Sequence, residues 1–501
     1  MAIVWFRRNL RLEDNRSLME ASKNASAVVP LFVFDPKDYA TTRAFGLPRK
    51  SLRSASYLVE SVKSLQEHLS LRGSRLIVRK EAPEDAISAI ARAASATDLY
   101  FPAESGTEEA ETAERVKAAV PHLRVHCDRA SAPLVAPSAL PFSGKDRPFP
   151  TTFTTFRKAI EGSRKRPTWE APLPSPSLIP PLPHGANDMG ERIPMPDELV
   201  AQPRGFAAEL PAELFATPAP PPQAEAWIAK GGIDEAKAAL ERFVGGGSNA
   251  RALQYKTTRN GMLGASYGSK MSLPLSLGCI SPRHVASAIE ELEKRQGASQ
   301  ETYWMLFELL WRDFFYHLSF ETGNTIFLLN GARGEPPLTR SGPHPWRRNA
   351  KLFTAWAGGN TGEPLVDAAM RELRATGFTG NRARQIVASY LTKDAGMDWR
   401  LGAEWFESRL CDHDPASNYG NWQYVAGVGA DPREDRYFNL AKQADNYDSD
   451  GSFRKFWCPS RRPKALHSLG KWSPAAGAAK GKGRAGGGSR RARGRRNTPK
   501  P

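Results

Sequence analysis

The 501-residue sequence predicts an α/β domain built on a parallel sheet, then an all-α domain, joined by a long connector. Three observations predict this. Short apolar runs alternate with amphipathic stretches over residues 1–137. Proline crowds residues 138–250. From 251 to 460 the apolar spacing becomes helical and rich in aromatics. Hydrophobic residues make up 40% of the chain, enough for large cores at this length.

The strands open with "AIVWF" directly after Met1, then "VVPLFVF", "SRLIVRK" and "ATDLYF". Between the second and third lies "SASYLVESVKSLQEHLSLR", whose apolar residues recur at helical spacing. Strand–helix alternation is the pattern of a parallel sheet. No GxGxxG follows the first strand, so the dinucleotide fingerprint is missing. The connector carries "APLPSPSLIPPLPHG" and "TPAPPP", with one expected helix, "EAWIAKGGIDEAKAALERFV", and is expected to wrap across the surface. In the helical half, "SQETYWMLFELLWRDFFYHLSF", "RARQIVASYLTKDAG" and "LGAEWFESRL" read as helices, with a glycine-marked stop at "GMDW".

Of the formal net charge of +17, 13 positive charges and no acidic ones lie in residues 461–501, which leaves +4 for the rest. That Gly/Arg/Lys-rich tail is expected to be disordered and to grip RNA or other nucleic acid, to serve as a signalling extension, or simply to be solvated. Cys127, Cys279, Cys411 and Cys458 show no CxxC spacing, which argues against a zinc site or disulfide framework. No apolar run reaches the ~20 residues of a membrane span. The expected location is cytoplasmic or nuclear, or an organelle (chloroplast or mitochondrion) if a targeting segment precedes Met1. A monomer is expected.

Four segments carry candidate chemistry. In "YKTTRNGMLGASYGSKMSL", backbone N–H groups and hydroxyls at Gly268, Ser269 and Ser272 suit a diphosphate at a helix start, or form an ordinary capped Ser-rich loop. In "FELLWRD", Glu308, Trp311 and Arg312 share a helix face. They suit a flat ligand, or a local ion pair on an amphipathic helix. "GFTGNRARQIVASYLTKDAGMDW" supplies Asn381, Arg384 and Trp399, which also read as surface charge and a core indole. "CDHDPASNYGNWQY" holds Asp412 and Asp414 around His413. The set lacks a third spaced metal ligand, so a cap plus a ribose contact is the better reading.

Together these stretches resemble the photolyase/cryptochrome family, and most of all its DASH branch. "WFRRNLRLEDN", "SLGCISPR", "FELLWRDFF", "GEPLVDAAMRELRATGFTGNRARQIVASYLTKD", "DWRLGAEWFESRLCDHDPASNYGNWQYVAGVGADPREDRYFN" and "YDSDGSFRKFW" carry the resemblance in order. It implies a Rossmann-like antenna domain and an FAD-binding helical domain. It implies that Tyr255, Gly268, Ser269, Lys270, Met271 and Ser272 follow the FAD diphosphate and adenine side. Position 268 usually carries a hydroxyl, so Gly268 would offer only its backbone N–H. Arg312 and Arg384 would lie near the flavin, with Arg384 paired to Asp412. Asp412 and Asp414 would contact the flavin edge and ribose, and Asn418 would face flavin N5. Trp422, Trp399 and Trp346 match the family's electron-carrying tryptophan chain.

The resemblance also implies an activity. Reduced flavin, excited by blue light, would pass an electron to a cyclobutane pyrimidine dimer, mainly in single-stranded DNA. Glu308 would hydrogen-bond the dimer, Trp311 would pack on it, and Asn381 would contact substrate. Tyr424 stands where the duplex-repairing branch has Trp. A signalling photoreceptor is the alternative. The antenna implied for the N-terminal domain is methenyltetrahydrofolate (MTHF), with Glu108 as the pterin-binding acid and Glu109 as its rival. No metal site is expected.

Overall fold

The computed structural model describes residues 1–459 apart from 143–146, 187, 332, 333, 335–337, 340, 341, 344, 345 and 432–436. The basic tail expected over 461–501 lies outside the described residues.

Five parallel strands form the N-terminal sheet: β1 (Ala2–Phe6), β2 (Val28–Val33), β3 (Ile77–Arg79), β4 (Asp98–Pro102) and β5 (Arg124–Asp128). Their order is β3-β2-β1-β4-β5, with Ile3 opposite both Val29 and Leu99. β1, β2 and β4 are buried along their whole length because helices cover both faces. β5 was not legible: "RVHCD" is an edge strand with half-exposed residues and lacks the apolar run. The covering helices are α1 (Arg16–Asn24), α2 (Leu52–Ser70), α3 (Pro83–Ala94) and α4 (Thr107–Ala119). Asn15 caps α1, and Ser51 with Ser54 forms a capping box on α2.

The connector differs from expectation. It holds three helices, α5 (Phe153–Glu161), α6 (Ala212–Phe215) and α7 (Ile233–Val244), besides several 3-10 turns. The helix read as starting near Glu225 begins only at Ile233, because Gly231 and Gly232 interrupt it. A Cβ on Gly231 would lie 2.2 Å from the Tyr57 carbonyl oxygen, so this close approach to α2 demands glycine. Nor does the connector stay on the surface. Phe153, Phe156, Ile179 and Leu199 are buried in the main core.

The helical domain comprises α8 (Tyr255–Thr258), α9 (Ser272–Ser276), α10 (Pro282–Gln296), α11 (Gln300–Thr322), α12 (Ala350–Gly358), α13 (Pro364–Thr376), α14 (Asn381–Ser389), α15 (Trp399–Arg409), α16 (Pro415–Ala426), α17 (Leu440–Tyr447) and α18 (Ser452–Trp457). Ser281, Ser299, Asp398 and Asp414 cap α10, α11, α15 and α16. After α14 the chain makes one π-turn, Tyr390–Asp394, before the glycine-marked stop. No helix among the described residues is long and apolar enough to cross a membrane.

One core crosses the domain boundary: Val4 and Phe6 of β1 belong to the same buried cluster as Val285 of α10 and Leu306 of α11. A buried ion pair pins the join. Arg283 grips Asp14 with two nitrogens (2.9 and 3.0 Å), and neither side chain is more than 2% exposed. The remaining Arg283 nitrogen donates to the Ala130 carbonyl. Asp14 sits at φ +51, a conformation that Asp and Asn tolerate. Asp14→Asn keeps that backbone but leaves a buried guanidinium without counter-charge. It is expected to destabilise the chain by about 3–5 kcal/mol, measured by urea unfolding.

Candidate functional site

Segments distant in sequence wall a cavity in the helical domain of about 2030 Å³, counting its open mouth. The loop before α9 forms one wall. Gly268 (φ +63) and Lys270 (φ +56) both take the left-handed conformation, which turns the backbone of residues 268–272 along the cavity. Arg251 braces this loop, donating to the carbonyls of Ser266 (2.6 Å) and Gly268 (2.7 Å). Burial lowers the Lys270 ammonium to about 8, and the ammonium lies over the rings of Tyr267 and Phe378. Tyr255 also lines this side; its phenol is pushed up by burial.

α11 forms the second wall with Glu308, Trp311 and Arg312, as their shared face required. Arg259 donates to Glu308 at 2.6 Å. Burial raises the Glu308 carboxyl, and the Arg259 charge opposes this. Trp311 is stacked against Phe153 of the connector at 3.7 Å and meets Tyr424 edge-on at 5.6 Å. Arg312 reaches the cavity but donates to the Ala132 carbonyl (2.6 Å), so it also ties α11 to the N-terminal domain.

Asn381 and Arg384 come from α14. Arg384 holds both oxygens of Asp412 (3.0 and 2.8 Å), the pairing expected from sequence. Asp414 caps α16 by accepting from Ser417 N (2.8 Å). Asn418 Nδ2 donates to the Ala403 carbonyl (2.9 Å), which fixes the amide. Trp422 and Tyr424 complete the lining.

Residues 2–177 match the family model described as DNA photolyase, and residues 304–482 match the FAD binding domain of DNA photolyase. The chain is 40% identical to the cryptochrome DASH of Gloeobacter violaceus over 476 residues, covering 94% of this chain and 89% of that one. The chain belongs to the photolyase/cryptochrome family, in its cryptochrome DASH branch. It is 39% identical to the cryptochrome DASH of Xenopus laevis over 462 residues, 91% of this chain and 82% of the relative. Among solved structures, a Synechocystis sp. PCC6803 cryptochrome superposes with a TM-score of 0.79 at 36% identity, covering 92% of this chain and 88% of that one. A class III photolyase from Agrobacterium tumefaciens gives 0.74 at 28% identity, over 91% and 86%.

FAD is thus the cofactor of this cryptochrome DASH chain, and the cavity fits it. A Cβ built on Gly268 meets nothing within 4 Å, so open space lies beside that backbone. Lys270 and Arg384 add positive charge to the same lining. Trp399 and Trp346, the other two tryptophans that the resemblance singles out, are not among the lining residues. Trp399 is fully buried at the start of α15 and donates to the Leu329 carbonyl (2.9 Å). Trp346 is half-buried; its neighbour Arg347 pairs with Met397, which brings the two segments together. Trp422 packs edge-on against Phe406 (5.1 Å) and Trp356 (6.1 Å).

A second cavity, of about 1590 Å³, opens at the carboxyl ends of β1, β2 and β4. This is where the strand order reverses, the usual ligand crevice of an open parallel sheet. Glu108 lies in its wall, bound by Arg43 and Arg49 (2.8 Å each). Glu109 lines it too, and burial beside Glu104 pushes its carboxyl up to about 7. α15 and α16 close this cavity with Glu407 and Tyr419, and His413 lines both cavities.

Sequence reasoning missed Arg259, Tyr267 and His413 as wall residues. Arg259 had a usable signal, since it follows Tyr255 by one helical turn. It also missed Gly402. A Cβ there would lie 2.2 Å from Trp422 Cη2 and 2.6 Å from Leu391 Cδ2, so the absent side chain lets the indole rest on α15. Gly402→Ala is expected to cost about 1–3 kcal/mol through overpacking, read as a lowered thermal midpoint of the FAD-loaded chain.

Proposed function

We propose that this cryptochrome DASH chain is a light-driven lyase of cyclobutane pyrimidine dimers, acting mainly on single-stranded DNA. The observation that carries the reading is the shared wall: Glu308, Trp311, Asn381 and Tyr424 line the same cavity as the groups suited to hold a flavin. Bound FAD supplies the photochemical electron. The protein supplies position and polarity. Backbone of residues 268–272 and the Lys270 ammonium would follow the diphosphate. Asp412, its charge held by Arg384, would meet the flavin edge. Asp414, although it caps α16, also lines the cavity, where it would meet the ribose. The amide nitrogen of Asn418 is engaged by Ala403, so its oxygen is the atom that would be offered to a protonated N5.

Glu308 would donate a hydrogen bond to a dimer carbonyl, which requires its protonated form. Its raised pKa populates that form at higher pH than in a free carboxyl. Trp311, backed by Phe153, would present a fixed apolar edge. Tyr424 offers less surface than an indole. Extracting a dimer from duplex costs a few kcal/mol, which a smaller contact offsets poorly, whereas a single strand avoids that cost.

For the second cavity we infer a pterin antenna, methenyltetrahydrofolate. Its place at the strand ends supports this. Because Glu108 is held by two arginines, Glu109 is the better-suited pterin contact.

Repair under blue light, by reduced protein with verified flavin loading, is expected to be faster on a dimer in a single-stranded oligonucleotide than in its duplex. Equal rates would overturn the substrate preference. Repair per absorbed photon is expected to fall as pH rises through the elevated pKa of Glu308, because the ionised form has no proton to donate. Glu308→Gln should flatten that decline, and Glu308→Ala should lower repair at every pH while FAD absorbance is retained.

A further inference from the structure

Tyr419 follows Asn418 on α16 but points away from the FAD cavity, into the second one. Its ring meets Trp399 edge-on, with centroids 6.3 Å apart and planes at 79°. Its hydroxyl donates to Glu407 Oε2 at 2.8 Å. The other Glu407 oxygen accepts from Arg49 Nη1 at 2.8 Å, and Arg49 Nη2 is held by Glu108. Trp399, Tyr419 and Glu407 are all buried.

We propose that Tyr419 is an electron donor to oxidised Trp399, passing its phenolic proton to Glu407 as it does so. The proposal rests on the tryptophan-chain reading, in which the oxidant is bound, oxidised FAD excited by light. The step balances. Trp399 as its radical cation gains one electron and returns to the neutral indole. Tyr419 loses one electron, its O–H bond breaks, and it becomes a neutral phenoxyl radical. The proton forms a new O–H bond on Glu407 Oε2.

The surroundings favour this direction. Trp399 donates its N–H to a peptide carbonyl, a very weak base, so its radical cation has no ready proton acceptor there. Tyr419 has a carboxylate in hydrogen-bond contact, and oxidising a phenol requires its proton to leave. Burial holds the phenol far above its ordinary pKa, so it is intact before the step. Glu404, one turn before, is pushed up to about 8 by burial, with the charge of Glu407 adding to the effect. When Glu407 takes the proton, Arg49 still faces Glu108, so no buried cation is left unpaired.

The test is electron paramagnetic resonance of the full-length, FAD-loaded chain trapped after blue light, with ring-deuterated tyrosine as the reporter. The expected result is a radical that narrows on deuteration. It should be lost in the isosteric Tyr419→Phe and replaced by a tryptophan radical in Glu407→Gln, which keeps an acceptor oxygen but no base. Retained FAD absorbance certifies that both variants are folded. A wild-type signal from tryptophan alone, or a tyrosine signal that survives Tyr419→Phe, would overturn the proposal. Trp399→Phe separates the two failures. If it blocks flavin photoreduction while no tyrosine radical forms in the wild type, only the Tyr419 step is wrong. If it leaves photoreduction intact, the tryptophan-chain reading falls and the proposal with it.

Discussion

The turn between α15 and α16 is the constraint on which both cavities depend. Four contacts hold it. Cys411 N donates to the Gly377 carbonyl, Arg384 clamps Asp412, Arg8 grips the His413 carbonyl, and Asp414 caps the next helix. Two of the four involve an arginine, and one of those, Arg8, reaches across from the N-terminal domain. Polar groups this deep must be paired, because an unpaired charge there costs several kcal/mol. The turn therefore has one low-energy position, and α16 inherits it. Asn418, Tyr419 and Trp422 then point where they do by helical geometry alone.

The same turn is the wall between the two cavities. His413 lines both, and burial pushes its pKa well below the ordinary histidine range, with Arg8, Lys50 and Arg49 adding to the effect. The shared wall is thus a neutral ring and a peptide flanked by paired charges. A ligand on one side meets the same backbone that positions groups on the other.

The sequence made the parallel sheet, the helical half and most of the cavity wall legible, for different reasons. β1, β2 and β4 were visible because strands buried on both faces are nearly continuous apolar runs. β5 was invisible because edge strands need not be. Glu308, Trp311 and Arg312 could be grouped because helix periodicity puts them on one face. A pairing of Arg384 with one of the aspartates of "CDHD" could be suggested from charge, but the choice of Asp412 came only through family resemblance, since no local rule joins residues 28 apart. The extra connector helices and the Gly402 contact lay beyond reach. Each depends on what packs against it from elsewhere: α2 against Gly231, Trp422 against Gly402 and Trp311 against Phe153. The role of Asp414 was half legible. The residues alone suggested that one acid of the pair caps and the other reaches a ribose, and the resemblance put both at the cofactor; in the folded chain Asp414 caps α16 and lines the cavity as well.

The core that runs through the domain boundary also sets a timetable. Val285, which shares a buried cluster with Phe6, is made some 280 residues after it. At about 5–20 residues per second, roughly 15–55 s separate the synthesis of these two members of one cluster. During that interval Phe6 lacks part of the cluster it joins in the finished chain. The proline-rich connector, emerging next, carries Phe153 and Phe156 into the same cluster. Synthesis thus adds the cluster in three instalments: the sheet, then the connector, then α10 and α11.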